Sequence, residues 1–495
     1  MFKHIFQLKL KVFRGIIKVM TKLNLNNTKQ TKIIATVGPS TNSYEMIYRM
    51  LEEGVNGFRL NFSHGTFPEK SQQIEWIRKA SKKYGKPVSI IQDLQGPKIR
   101  LGSFDHEIKL SEGEVWHLDA KAGVNLDLMN KVLPIQTDIS KDVKVGDRLF
   151  IFDGKIRSKI TEVNADDKSL KIKIINDGLT TQKKGINLPD TVFTSSVITA
   201  KDRKDIEFGL DYDIDYVALS FVNSEKDIRE LRSMLEAGGS RAGIIAKIET
   251  KSALDSIDKI ALESDAIMVA RGDLAYEIEP EKVPVVQRNL IATCLRYEKI
   301  CIVATQMLSS MVNSPEASRA DISDIATAVI VGADATMLSD ETAMGDYPIE
   351  AIKTMDKVIL YTQQNSLVAA SFAPTHEYSI KEAISGTAID LAKKVNAIAL
   401  VVETASGSTV LSVSSWRPKE PIVAVTDSSK VANKMAIAYG VRSFVRPVDK
   451  YAATKLTEWL REEDILFPGD TVLIVAGKHP GSSGGTDTIK VRVLE

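Results

Sequence analysis

Cysteine is nearly absent. Cys294 and Cys301 are the only two in 495 residues, too few for a disulfide framework and without metal-ligand spacing, a pattern that fits a reducing, cytoplasmic compartment. The six histidines are scattered and make no zinc cluster. Neither sign of charge is in excess, because 65 Lys and Arg face 64 Asp and Glu for a net +1. No global field therefore draws nucleic acid or an anionic membrane, and any anion binding has to be local. No apolar run reaches the length of a membrane span. The glycine-rich patterns G-x-x-x-x-G-K-[ST] and G-x-G-x-x-G are also missing, which removes the commonest nucleotide loops.

What remains is a soluble globular composition, 43% hydrophobic and 26% charged, in a chain long enough for several domains. Residues 1–30 read as a basic extension. From Lys3 to Lys32 the chain carries eight lysines and arginines and no acid. It has no serine, one arginine and no small-residue cleavage site, so it reads as a disordered extension or an over-long translation start before Met20 rather than a targeting peptide.

From Thr31 onward, short β-branched apolar runs end in polar clusters and are followed by helix-like stretches. Eight such runs are Lys32 to Val37, Gly57 to Asn61, Val88 to Asp93, Tyr216 to Ser220, Gly243 to Lys247, Ala266 to Ala270, Cys301 to Ala304 and Ala335 to Leu338. Continuous apolarity indicates strands buried on both faces. Eight β/α units predict an α/β fold, a TIM (β/α)8 barrel over 31–100 and 190–370 with its chemistry at the C-terminal strand ends. Residues 101–189 are too many for a βα loop. Their Gly and Asp turns between strand-like runs predict an inserted small β-barrel domain placed as a lid. Residues 371–495 predict a C-terminal open α/β domain with strands at Ala397 to Glu403, Pro421 to Thr426 and Thr471 to Gly477.

The polar residues closing the eight runs are Thr36, Arg59, Asn61, Ser63, His64, Asp93, Arg100, Lys247, Glu249, Asp273 and Thr305. Lys247 and Glu249 stand at i and i+2, on one side of a strand, and Arg271-Gly-Asp-Leu274 closes the next. Two carboxylates one strand apart can hold a divalent cation, and the ammonium beside them can balance charge on a transferring phosphoryl group. Gly272 and Asp273 lie at a strand-to-helix turn whose free N–H groups suit an anion. The strand before it makes an adhesion reading of Arg-Gly-Asp untenable. Asn61-Phe-Ser63 matches a glycosylation acceptor only by letter.

These residues resemble the pyruvate kinase family from Thr31 to the C-terminus. The resemblance rests on Thr31-Lys-Ile-Ile-Ala-Thr-Val-Gly-Pro39, Arg59-Leu-Asn-Phe-Ser-His-Gly65, Gly96-Pro-Lys-Ile-Arg100, Lys183-Lys-Gly-Ile-Asn-Leu-Pro189, Ala246-Lys-Ile-Glu249, Met268-Val-Ala-Arg-Gly-Asp-Leu274, Ala304-Thr-Gln-Met-Leu308 and Met337-Leu-Ser-Asp-Glu-Thr342, in that order. It implies phosphoryl transfer from phosphoenolpyruvate to ADP, giving pyruvate and ATP. Lys247 and Arg59 would stabilise the phosphoryl group, and Glu249 and Asp273 would bind Mg2+ (or Mn2+). Gly272, Asp273 and Thr305 would hold the substrate carboxylate. Thr305, Ser339 and Glu341 would line the route that protonates the enolate, and His64, Arg100, Asp153 and Lys184 are implied on the nucleotide side.

Many family members hold K+ on oxygens matching Asn61, Ser63, Asp93 and the carbonyl of Leu94. Here Leu94, Gln95 and Lys98 resemble the branch that works without K+, a tethered ammonium at Lys98 replacing the ion. Ala275, Asp340 and Ala317-Ser318-Arg319 depart from the family pattern, which bears on the short helix and the subunit contact but removes no charge. The turn Thr404, Ala405, Ser406, Gly407, Ser408, Thr409 matches the family's effector loop, with Gly481 to Thr486 closing it over a sugar phosphate or nucleotide. A homotetramer is the family's expectation.

Two other classes were weighed. One is a 2-oxo acid lyase or aldolase with a Schiff base on Lys247, which the neighbouring Glu249 opposes by favouring the charged amine. The other is a non-catalytic metabolite sensor using only the C-terminal loop.

Overall fold

The computed structural model describes all residues except 1–27, 122, 192, 194–195, 367–377 and 478–484. Residues 1–27 of the basic extension and most of the segment expected to close over the Thr404 turn lie outside the described residues. Eight parallel strands form a closed barrel: β1 (Lys32–Val37), β2 (Gly57–Asn61), β3 (Ser89–Asp93), β4 (Tyr216–Leu219), β5 (Gly243–Ile248), β6 (Ala266–Ala270), β7 (Ile300–Ala304) and β8 (Ala335–Leu338), each paired with its sequence neighbour and β8 with β1. Both faces of these strands are covered. Ile34, Ile91, Ile245, Met268, Ile302 and Met337 fill one core cluster, while Ile33, Phe58, Ile90, Ile244 and Ile267 belong to another. That two-sided burial is what the continuous apolar runs encode.

Hydroxyl caps set the turns after the strands. Thr250, directly after Glu249, accepts from the Ala253 N–H and donates to the Val222 carbonyl, so the cap that starts a helix also fixes the loop leaving β5.

Between β3 and β4 lies the inserted all-β unit. Its strands form one six-stranded and one two-stranded sheet around a common core that includes Leu110, Trp116, Leu149, Ile156 and Ile172. Among the described residues the two sheets do not join into one hydrogen-bonded ring.

The C-terminal unit is a five-stranded sheet. Its strands are β9 (Ala399–Glu403), β10 (Ile422–Thr426), β11 (Val441–Val445), β12 (Thr471–Gly477) and β13 (Thr486–Val493), in the order β11, β10, β9, β12, β13 with β13 antiparallel. This unit packs under the N-terminal ends of the barrel strands. The Tyr216 hydroxyl donates to the Lys434 carbonyl at 3.1 Å, and a Cβ at Gly57 would come within 2.8 Å of Ile437. A glycine opens β2 because the second unit touches the barrel floor there.

Candidate active site

At the opposite, C-terminal mouth, the ends of neighbouring strands converge on Asp93. Its Oδ2 accepts from Arg59 Nε at 2.5 Å and its Oδ1 lies 3.2 Å from Lys247 Nζ. Arg59 also donates to Thr36 Oγ1 at 3.1 Å, so three adjacent strands hold its guanidinium. Lys247 is 3.0 Å from Glu249 Oε1 and donates to Ser220 Oγ at 2.6 Å. Although burial opposes its charge, the carboxylates of Asp93 and Glu249 hold its ammonium well above the usual lysine range. Asp93 is pulled below the usual carboxylate range, with Lys247 and Arg59 outweighing its burial. Lys247 therefore stays charged at neutral pH.

Glu249 is 2% exposed, and its Oε2 accepts from the Phe221 N–H at 2.7 Å. Burial pushes its carboxyl up, and the nearby Asp273 charge adds to the rise against the pull of Lys247. The Asp273 carboxylate has no hydrogen-bond donor among the described residues, and it faces a cleft of about 440 Å³. Two carboxylates, Glu249 paired with Lys247 and Asp273 with no hydrogen-bond donor among the described residues, are hard oxygen donors that fit Mg2+, which keeps several waters and takes few protein ligands. No group of three or more His, Cys, Asp or Glu placed to hold a metal occurs among the described residues.

The end of the mouth that carries Thr305 is built on strain. Thr305, a β-branched residue, sits at φ +69 and Gln306 at φ +55, a conformation that needs external support. Arg271 supplies it, donating to the Thr305 carbonyl at 2.7 Å while paired with Asp324 at 2.7 Å. The Gly272 N–H donates to Thr305 Oγ1 at 2.9 Å, so this donor and the hydroxyl are brought together and occupied by each other. Glu341 is 2% exposed and accepts from the Leu308 and Ser339 N–H groups at 3.0 and 2.7 Å. It fixes the loop carrying Thr305. The Ser339 hydroxyl is buried and has no partner.

The cleft lies between the mouth and the inserted unit. Lys98, Asp153, Asn187, Lys201, Asp273 and Glu277 line it, which unites Asp153 of the lid with Asp273 of the barrel. The other residues expected on the nucleotide side, His64, Arg100 and Lys184, are not among those lining it. Arg100 donates to the Lys183 carbonyl at 3.0 Å, and Lys184 sits 4.0 Å over the Phe152 ring. His64 is exposed, its pKa lowered by partial burial and by the charges of Arg100 and Lys98.

Three of the four oxygens expected to hold K+ already have partners. Asp93 is paired twice, the Leu94 carbonyl accepts from Ser220 Oγ at 2.7 Å, and Asn61 Oδ1 accepts from the Ser63 N–H at 3.0 Å. Lys98 is exposed at the cleft and makes no hydrogen bond to them. The ammonium expected on these oxygens is instead solvated a short way along the loop, because Arg59 and Lys247 already neutralise Asp93.

The sequence reading missed Ser220, the Phe221 N–H and the anchoring role of Arg271. Ser220 closes an apolar run, and that position was the available signal.

At the C-terminal turn, Gly407 adopts φ +95 and its N–H donates to Thr404 Oγ1 at 2.8 Å. Thr409 Oγ1 and Thr486 Oγ1 are 2.6 Å apart, and Lys381 reaches Ser408 Oγ at 3.2 Å. Ala405 and Ser406 complete the turn.

Family models described as "Pyruvate kinase, barrel domain" and "Pyruvate kinase, alpha/beta domain" match residues 28–352 and 382–492. The chain is 38% identical over 474 residues to Pyruvate kinase 2 of Synechocystis, covering 94% of this chain and 80% of that protein. It is 39% identical over 475 residues to a pyruvate kinase of Agrobacterium vitis, covering 94% and 99%. The crystal structure of a pyruvate kinase from Cryptosporidium parvum superposes with a TM-score of 0.88 at 30% identity, over 95% of this chain and 97% of that one. A closed eight-stranded barrel with a cationic, carboxylate-lined mouth, matched over nearly its whole length by these relatives, places the chain in the pyruvate kinase family, as a phosphotransferase.

Proposed function

We propose that the chain transfers the phosphoryl group of phosphoenolpyruvate to ADP in a Mg2+-dependent reaction that needs no K+. The observation that carries this reading is the placement of Lys247, buried between Asp93, Glu249 and Ser220 and sharing Asp93 with Arg59. Two fixed cations facing a closed mouth stabilise the charge that spreads over the phosphoryl oxygens during transfer. Glu249 and Asp273 would hold Mg2+, which when bound would supply positive charge beside the substrate. Thr305 and the Gly272 N–H, released from each other, orient the substrate carboxylate. The unpartnered Ser339 hydroxyl and the Thr305 hydroxyl hold the water that returns a proton to the enolate, while Glu341 keeps the loop in place. On the nucleotide side Asp153 faces Asp273 across the cleft, with His64, Arg100 and Lys184 at its rim.

The same geometry disfavours a Schiff base, since an ammonium held charged by two carboxylates is a poor nucleophile. We further propose a cytoplasmic homotetramer in which the Thr404 to Thr409 turn takes a sugar phosphate or nucleotide. The reaction is tested by measuring pyruvate formation from phosphoenolpyruvate and ADP with Mg2+, and borohydride trapping with pyruvate tests the aldolase alternative. Turnover without trapping is the expected result. Trapping without turnover would replace the kinase reading by the aldolase one.

A further inference from the structure

Asp202 lies on the helix Ala200–Leu210, where the chain rejoins the barrel after the inserted unit, and it is fully buried. Its Oδ2 caps that helix, accepting from the Thr199 N–H at 2.9 Å and from the Thr199 hydroxyl at 2.6 Å. Its Oδ1 makes contacts that a cap does not require. It accepts from the Gln95 N–H at 3.0 Å and the Gly96 N–H at 3.3 Å, on the segment by which the chain leaves β3 for the inserted unit, 107 and 106 positions away. Among the described residues no lysine or arginine forms an ion pair with Asp202. A buried carboxylate is thus held by neutral donors taken from both chain crossings.

The entering segment is fixed on its other side as well. The Leu94 carbonyl accepts from Ser220 Oγ at 2.7 Å. Gly96 adopts φ +69, and a Cβ there would come within 2.9 Å of the Phe221 ring and of Ser220 Cβ, so this segment is pressed against the end of β4. A few residues on, the two crossings pair with each other, the Ile186 N–H donating to the Ile99 carbonyl and the Leu101 N–H to the Lys184 carbonyl, each at 2.9 Å. The inserted unit therefore stands on a two-stranded neck whose two roots meet on one carboxylate. Gln95, Gly96, Lys98, Thr199 and Lys201 beside that root line the cleft, together with Asp153 of the inserted unit, whereas Asp202 does not.

We propose that Asp202 is a positioning residue for phosphoryl transfer. By holding both crossings it sets how the inserted unit stands over the cleft, and so where Asp153 lies opposite Asp273. A misplacement of about 1 Å between reacting partners is enough to slow a reaction that depends on orientation. The assignment rests on the reading of the cleft as the nucleotide's place in the reaction. On that reading phosphoenolpyruvate is bound by barrel residues alone, while ADP is held between the barrel and the inserted unit, so a loosened neck affects the two substrates unequally.

The test uses Asp202→Asn, which keeps the shape of the side chain but turns an amide N–H2 toward one of the crossings, where a donor already points. Spin labels at Asp166→Cys on the inserted unit and Glu236→Cys on the barrel, both exposed positions, report the distance between the two units. The native Cys294 and Cys301 are buried and stay unlabelled. Pulsed dipolar spectroscopy is expected to give a narrow distance distribution with Asp202 present and a distinctly broader one in Asp202→Asn. Equal widths overturn the proposal. If Asp202→Asn fails to fold, Thr199→Val, which removes only the hydroxyl donor, is judged by the same criterion. In steady state, Asp202→Asn is expected to raise KM for ADP about ten-fold and to leave that for phosphoenolpyruvate within about two-fold. An equal rise in both would make Asp202 a helix cap only and also overturn the proposal. Absence of turnover in the unaltered chain would instead remove the kinase reading, and the distance measurement would still decide whether Asp202 pins the neck.

Discussion

Lys247 donates to the Ser220 hydroxyl across 2.6 Å, and Ser220 donates onward to the Leu94 carbonyl at 2.7 Å. A serine at the end of β4 thus couples the lysine of β5 to the loop leaving β3. Without that hydroxyl, Lys247 settles toward Asp93 and Glu249, away from where the phosphoryl oxygens develop charge. Ser220→Ala is expected to lower kcat about ten-fold, equivalent to ~1.4 kcal/mol of transition-state stabilisation, with little change in KM for phosphoenolpyruvate. Steady-state kinetics decide the point. A rise in KM at constant kcat would assign Ser220 to substrate binding instead of to the orientation of Lys247.

The monovalent-ion prediction rests on Asp93, whose two oxygens are already paired with Arg59 and Lys247. Pyruvate formation is expected to keep at least about half its rate when KCl is replaced by a tetramethylammonium salt at matched ionic strength, since the site's charge is balanced internally. Lys98→Glu places a negative charge at the same cleft and is expected to make K+ stimulatory. Strong K+ activation of the unaltered chain would show that Arg59 and Lys247 leave the oxygens around Asp93 short of positive charge.

Glu277 lines the cleft beside Asp273, and its carboxyl is raised to about 7, chiefly by burial, with the charges of Asp190 and Asp273 adding to it. A carboxyl whose folded pKa lies above its unfolded one contributes stability below the ordinary carboxylate range. That contribution is lost as pH rises through about 7. Between pH 5 and pH 8 the chain is expected to lose about 2 kcal/mol from this group, discounted from 1.36 kcal/mol per unit for partial solvation. Glu277→Gln should flatten that slope in urea denaturation. An unchanged slope would move the titration to another residue.

The barrel was legible because its strands are short, continuously apolar and closed by chemistry-bearing residues, with Lys247 and Glu249 two positions apart on one strand. Less legible were features without that signature. β13 is an antiparallel edge with Asp487 and Lys490 on exposed positions, so it reads as loop. β11, five residues with Arg442 and Ser443 among them, lacks a continuous apolar run. Ser220 is an ordinary hydroxyl until the fold sets it under Lys247. Lys29, Lys32, Lys86 and Arg442, which line a cavity under the barrel floor, are separated by up to hundreds of positions, and only the docking of the C-terminal unit gathers them.

That docking has its own electrostatic centre. Asp334, just before β8, accepts from Arg417 at 2.5 Å, from the Cys301 N–H at 2.9 Å and from the Tyr439 N–H at 3.0 Å. Both side chains are almost wholly buried, and the Arg417 guanidinium also lies 4.6 Å over the Tyr439 ring. Removing one partner strands a buried charge, so Arg417→Leu is expected to destabilise the chain by about 3 kcal/mol. Removing both leaves no unpaired charge, so the double variant Asp334→Asn with Arg417→Leu should cost clearly less than the sum of the two single changes. Calorimetry adds a second readout. If Asp334 and Arg417 clamp the two units, Arg417→Leu should split one thermal transition into two, the C-terminal unit melting first. A single transition shifted down as a whole would mean that the rest of the interface, Tyr216 against Lys434 and Gly57 against Ile437, keeps the units cooperative without the ion pair.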